Sequence, residues 1–121
     1  MFDPMPSSIG LINSGRLRPL AVTTSRRSEA LPQIPPMSDF VPGYEAGSWF
    51  GIGSPRGTPP AIITRLNTEI NAGLADPGLR TRVAGLGGMV MPGSPVTFAA
   101  FIAAESEKYS GVIRAANIRL K

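Results

Sequence analysis

The sequence predicts an α/β fold with few short strands, three to five helices and a long C-terminal helix. Three observations carry that prediction. Short apolar, β-prone runs stand at residues 17–24, 44–53 and 87–93. Apolar residues repeat at helical spacing between and after them. Thr58-Pro59, Asp76-Pro77 and Ser94-Pro95 each set a capping side chain before a proline suited to the first helical position. Strands and helices in alternating order point to the α/β class.

Taken in order, residues 1–5 read as the end of a strand. Pro6 and Ser7-Ser8 open a short helix with Ile9, Leu11 and Ile12 apolar, and Gly15 ends it. "LRPLAVTT", 17–24, reads as a strand buried at Leu20 to Val22. "SRRSEALPQIPPMSDF" follows as loop, because prolines 32, 35 and 36 forbid a long helix, with room for one helical turn at 37–40. Residues 44–53 form the second strand. Thr58 then caps a helix whose Ile62, Ile63, Leu66, Ile70 and Leu74 share a face, with Arg65 and Glu69 opposite as an i,i+4 pair in the weaker order. Asp76 caps the next, with Leu79, Val83 and Leu86 inward and Gly87 as its stop. "GGMVMPG" is a short strand. Ser94 opens the longest helix, with Phe98, Phe101, Ile102, Tyr109, Val112 and Ile113 inward.

A length of 121 residues fits one domain with a modest core. The net charge of +4 is scattered; the densest cluster is Arg26-Arg27, with Arg16 and Arg18 nearby. Without basic runs interleaved with aromatics this is a solvated surface, and no nucleic-acid partner is expected. Cysteine and histidine are both absent, which removes disulfides, zinc–thiolate and histidine metal sites, a Cys nucleophile and a Ser-His-Asp triad. No cofactor and no metal are expected. No apolar run reaches the length of a membrane helix. "MFDPMPSSIG" lacks the basic and apolar regions of a signal peptide.

The stretch "YEAGSWFGIGSPRGTPPAIITRLN", 44–67, has the strand, Gly-rich loop and helix order of a phosphate cradle. Its chemistry argues against one. Pro55, Pro59 and Pro60 each remove an N–H donor. Arg56 stands where G-x-G-x-x-G needs its last glycine, and no Lys-Ser/Thr follows. A tight strand-to-helix connection accounts for the composition. Gly47, Gly51 and Gly53 beside a strand also point to close approach by backbone or ligand.

Other candidate chemistry is sparse. Glu105 and Glu107 are two apart on a helix and share no face. Asp3 is a lone carboxylate, fit for a turn cap or solvation. Ser7-Ser8 suits helix capping better than nucleophilic attack. Trp49-Phe50 suits either a stacked ligand or packing, and Met89 and Met91 suit packing. Nothing assembles a catalytic constellation, so the chain is expected not to be an enzyme.

Four runs in series carry a resemblance: "GRLRPLAVTTSRRSEALPQIPPMSDF", "PGYEAGSWFGIGSPRGTP", "LNTEINAGLADPGLRTRVAGLGG" and "GSPVTFAAFIAAESEKYSGVIRAANIRL". Together they resemble the C-terminal portion of the substrate-binding receptors of tripartite tricarboxylate transporters, the Bug receptors. The leading "MFDPMPSS" resembles that family's strand-to-helix segment just before "GRLRPLAVT". The resemblance spans essentially the whole chain.

It implies a two-lobed periplasmic binding protein that closes on a small carboxylic acid and delivers it to a membrane permease, with no reaction catalysed. The ligand would be a di- or tricarboxylate or an acidic amino acid. Residues 1–20 would form the end of the second lobe and the crossover, and 21–121 the remainder of the first lobe, so the fold would be a partial periplasmic-binding-protein-like lobe. The chain is well under half the family's usual length, and the secretion signal and most of the ligand-gripping loops are missing from it. Asp3 is the best carried-over ligand contact; as an anion it would position a water, an amine or a neighbouring loop. Ser48, Trp49 and Phe50 are further candidates beside the cleft. The location implied is the periplasm. The alternative is a shortened interaction protein that self-associates through exposed sheet edges and binds no ligand.

Overall fold

The structure, a computed structural model, describes residues 1–119. Four α-helices follow in order: α1 (Met5–Asn13), α2 (Pro60–Ala75), α3 (Pro77–Gly85) and α4 (Pro95–Ala115), with a 3-10 turn at Met37–Asp39 between the first two. Helix makes up 49% of the described residues and strand-type pairing 2%, so the α/β prediction is overturned. Among the described residues there is no sheet, only a single parallel bridge between Val22 and Pro36.

Proline explains why pairing stops there. Val22 N–H donates to the Pro35 carbonyl at 2.9 Å, and Met37 N–H donates to the Val22 carbonyl at 2.7 Å. Ala46 N–H donates to the Thr23 carbonyl from a third segment at 3.0 Å. Residues 22–23 thus have the beginnings of a neighbour on either side. Pro19, Pro35 and Pro36 have no N–H to give, so the ladder cannot lengthen through them. Residues 1–4, expected as strand, run without partners, and Met5 already belongs to α1. Residues 44–53 contribute one ladder bond, from Ala46, and the described backbone–backbone bonds of 87–93 are those of Gly87 and Gly88 to the end of α3, with no strand partner. A strand is defined by its neighbour, and β-prone composition supplies none.

The helices begin near the cap-and-proline pairs, with local corrections. α1 starts at Met5, with Pro4 in the capping position and no side-chain cap. α2 starts at Pro60, one residue later than Thr58-Pro59 suggested, because a residue before proline is pushed out of the helical region; Pro59 accordingly has ψ 138°. Thr58 bonds back to the Pro55 carbonyl instead. Asp76 ends α2 and caps α3, its carboxylate accepting from Leu79 N–H at 2.8 Å. Ser94 and Thr97 form a reciprocal capping box at the start of α4.

Three helices close with the same double bond pattern. Gly15 and Arg16 bond back to Ile12 and Leu11, Gly87 and Gly88 to Ala84 and Val83, and Asn117 and Ile118 to Arg114 and Ile113. Each turn needs a left-handed residue, supplied by Gly15, Gly87 and Asn117.

The core is small and lies in the N-terminal third. Ile9 of α1, Val22 and Leu31 are buried, together with Ser8 and Pro36. No residue of α2, α3 or α4 is buried. The expected inward faces are therefore only partly covered: Phe98, Phe101 and Tyr109 are half-buried, whereas Ile102, Val112 and Ile113 of α4, Leu79 of α3 and Leu86 just after it, and Ile62 and Leu66 of α2 are exposed.

Candidate functional site

The candidate residues fall on two short segments, one leading into α1 and one lying on α4. Asp3 is exposed at the N-terminal end of α1 and accepts a hydrogen bond from Ser7 Oγ at 2.6 Å. An acidic group suits that position, where the helix presents free N–H groups. Beside it, the Phe2 ring stacks on Tyr44, with centroids 6.5 Å apart and planes 25° from parallel. That stack ties the first segment to the beginning of the second.

The second segment rests on α4 through alternate residues. The Gly47 carbonyl accepts a hydrogen bond from the Tyr109 hydroxyl at 3.2 Å. Trp49 packs edge-on against Phe98 at 5.8 Å and Phe101 at 5.2 Å between centroids. At Gly51 a Cβ would lie 2.1 Å from the Phe98 ring, so only glycine lets the backbone come this close. The residues between them point away. Ser48 is exposed, Phe50 is 96% exposed and Ile52 is 70% exposed. The predicted Trp49-Phe50 pair is thus split: Trp49 is an anchor and Phe50 faces solvent. Asp3 is brought near Tyr44 through the Phe2 stack, and no described hydrogen bond joins it to Ser48, Trp49 or Phe50.

A third contact network escaped the reading of the sequence. Asn67 and Asn71, one turn apart on α2, both donate to the Gly93 carbonyl, at 2.8 and 3.0 Å. Asn71 Oδ1 also accepts from Gly93 N–H at 3.0 Å. This grip on the peptide just before Ser94 fixes where α4 begins. Two amide side chains at i,i+4 were the available signal.

Charge near the aromatic strip comes from α4 and from Glu45, two residues before Gly47. Lys108 pairs with Glu105, lies 5.1 Å from the Tyr109 ring centroid, and has its pKa raised chiefly by the Glu105 hydrogen bond. An open depression of about 360 Å³ on α2, lined by Ala61, Ile62, Arg65, Leu66 and Glu69, includes none of the candidate residues. Among the described residues there is no cluster of acidic groups able to hold a metal ion, and no helix is long and apolar enough to cross a membrane.

A family model described as the tripartite tricarboxylate transporter family receptor, TctC, matches residues 1–118. The chain belongs to this receptor family. The TctC receptor match is supported by protein BugT of Bordetella pertussis, 36% identical over 98% of this chain and 37% of its own length. A UPF0065 protein from the tcbD-tcbE intergenic region of Pseudomonas sp. strain P51 is 33% identical over 93% of this chain and 34% of its own length. Two solved structures superpose well. R. palustris Rpa4515 with adipate gives a TM-score of 0.84 at 38% identity over 94% of this chain, and the periplasmic binding protein BugD gives 0.83 at 29% identity over the same share. The superposition covers 38% and 39% of those two chains. The chain thus spans little more than a third of the length of these four proteins. Its family is one of receptors and solute-binding proteins, which supports a non-enzymatic role.

Proposed function

We propose that these residues form part of a periplasmic solute receptor that binds a small carboxylate. One observation carries the reading: 94% of the chain superposes at a TM-score of 0.84 on a relative bound to adipate, a dicarboxylate. In this reading the chain corresponds to the C-terminal portion of a two-lobed protein. Residues 1–20 form the end of the second lobe and the crossover, and 21–121 the remainder of the first. The ligand sits in the cleft between lobes, beside Asp3 and the Ser48–Phe50 strip, and is released to a membrane permease.

The geometry supports those assignments in two ways. Asp3 and the strip are both exposed, and the Phe2–Tyr44 stack brings their segments toward one another. Ser48 offers a hydroxyl and Phe50 a free ring on the side away from α4. Asp3, already bonded to Ser7, does not attract a carboxylate directly. Its role is to orient a water, an amine or the adjoining loop. The unpaired segments at 17–21 and 87–93 then pair with strands from the remaining polypeptide of the receptor.

A thermal melt of the chain with and without a panel of di- and tricarboxylates, adipate included, tests the reading. A ligand that binds the folded form at a hundred times its Kd stabilises it by about 2.7 kcal/mol, which raises the midpoint by several degrees. A midpoint unmoved by every carboxylate would remove ligand binding from this part of the receptor.

A further inference from the structure

We propose that Tyr109 is a positioning residue for the ligand-facing strip Ser48–Phe50, acting through the Gly47 carbonyl from 62 residues away in sequence. The inference rests on the carboxylate-receptor reading for its consequence in binding, but the tether itself stands on geometry alone.

Three contacts tie the strip to α4, and the Ala46 N–H bond to the Thr23 carbonyl holds the residue just before it. The Tyr109 hydroxyl holds the Gly47 carbonyl. The Phe98 and Phe101 rings hold Trp49 from two directions, with planes 89° and 74° from that of the indole. The Phe98 ring then lies under the bare backbone of Gly51. The contacts fall on residues 47, 49 and 51, so the intervening Ser48 and Phe50 are turned to the open side. Side chains in an extended segment alternate between its faces, so a slip of one residue would turn Phe50, now 96% exposed, toward α4 and Trp49, now 38% exposed, away from it.

The aromatic contacts and Gly51 constrain the far end of the strip. Hydrophobic packing is itself non-directional, and the close approach of Gly51 to the Phe98 ring, where no side chain fits, sets the register at that end. Two directional contacts act at the near end, the Ala46 N–H bond to the Thr23 carbonyl and the Tyr109 bond to the Gly47 carbonyl, and of these the Tyr109 bond is the one that ties the strip to α4, one residue before Ser48. Lys108, beside the same ring, is engaged with Glu105 and does not compete for the Gly47 carbonyl. Tyr109 touches no candidate ligand-facing side chain. Its effect passes through backbone register.

Trp49 is the sole tryptophan, so its fluorescence reports on this strip alone. The test compares the chain with its Tyr109→Phe variant, which keeps the ring and removes the donor. Both are measured well below the thermal transition. The tether predicts that acrylamide quenching of Trp49 rises by about half or more in the variant, while helical circular dichroism is unchanged. Adipate binding, measured by titration, should weaken about three- to tenfold, the range expected for one lost neutral hydrogen bond. Gly51→Ala, which drives a methyl into the Phe98 ring, should increase quenching by a different route. Unchanged Trp49 quenching in Tyr109→Phe would overturn the tether. Increased quenching with adipate affinity retained would overturn the positioning role. If the unmodified chain binds no adipate, the receptor reading fails for these residues, and the quenching comparison still decides the tether.

Discussion

Gly87 meets two requirements at once. Its φ of +74° is the left-handed turn that closes α3, and the space a Cβ would need is filled by Met5 of α1. A methyl there would sit 2.1 Å from the Met5 sulfur. Gly87→Ala is expected to cost about 1–2 kcal/mol from backbone conformation alone, and more from the displaced methionine. Chemical denaturation of the two chains would show it as a lower midpoint with an unchanged slope. Gly51 makes a similar close approach without a left-handed backbone, so its constraint is the Phe98 ring alone. Sequence reading marked Gly87 as a helix stop and Gly51 as a point of close approach. It had no means of naming Met5 or Phe98 as the neighbour, because both lie far off in sequence.

At the scale of elements, what was legible was what is local. Proline and a capping side chain act within one turn, so Asp76 and Ser94 mark the starts of α3 and α4 directly. Thr58 misled by one residue because Pro60 imposes an extended Pro59. Removing the Ser94 side chain breaks the half of the capping box in which Ser94 Oγ accepts from Thr97 N–H, and leaves the Ser94 N–H bond to Thr97 Oγ1 in place. Ser94→Ala should lower stability by about 1 kcal/mol, read as a shift in thermal midpoint; a neutral result would show that the Asn67–Asn71 grip on Gly93 and the remaining Thr97 bond hold the helix start. The strands failed for the opposite reason. Val22 has the side chain of a strand residue and is buried as one, yet its pairing depends on segments whose prolines cannot donate. Of the candidate site, Trp49 and Phe50 were legible as aromatics, but their opposite orientations depend on α4 and were not. The Asn67–Asn71 pair was visible as helical spacing, and its target at Gly93 was not.

The whole molecule exposes far more surface than its mass requires. Its accessible area is 9711 Å², whereas a compact monomer of 12.7 kDa exposes about 6,200 Å². The difference includes Leu20, Phe50, Ile52, Met89 and Met91, all apolar and all on unpaired segments. Left uncovered, such a surface seeks another cover. The 121-residue chain is therefore expected to self-associate, with a mass in sedimentation that rises with concentration. A monomer at every concentration tested, unfolding in one cooperative step, would count against this.

The grip of Asn71 on Gly93 spans 22 residues, whereas the tether of Tyr109 to Gly47 spans 62. Closing the shorter loop sacrifices less chain entropy, and α3 inside it already shortens the distance to be bridged. On loop closure alone, the shorter contact is expected to form before the longer one. The face that carries Ser48 and Phe50 is thus expected to be the last assembled, held by few contacts that can release and re-form locally.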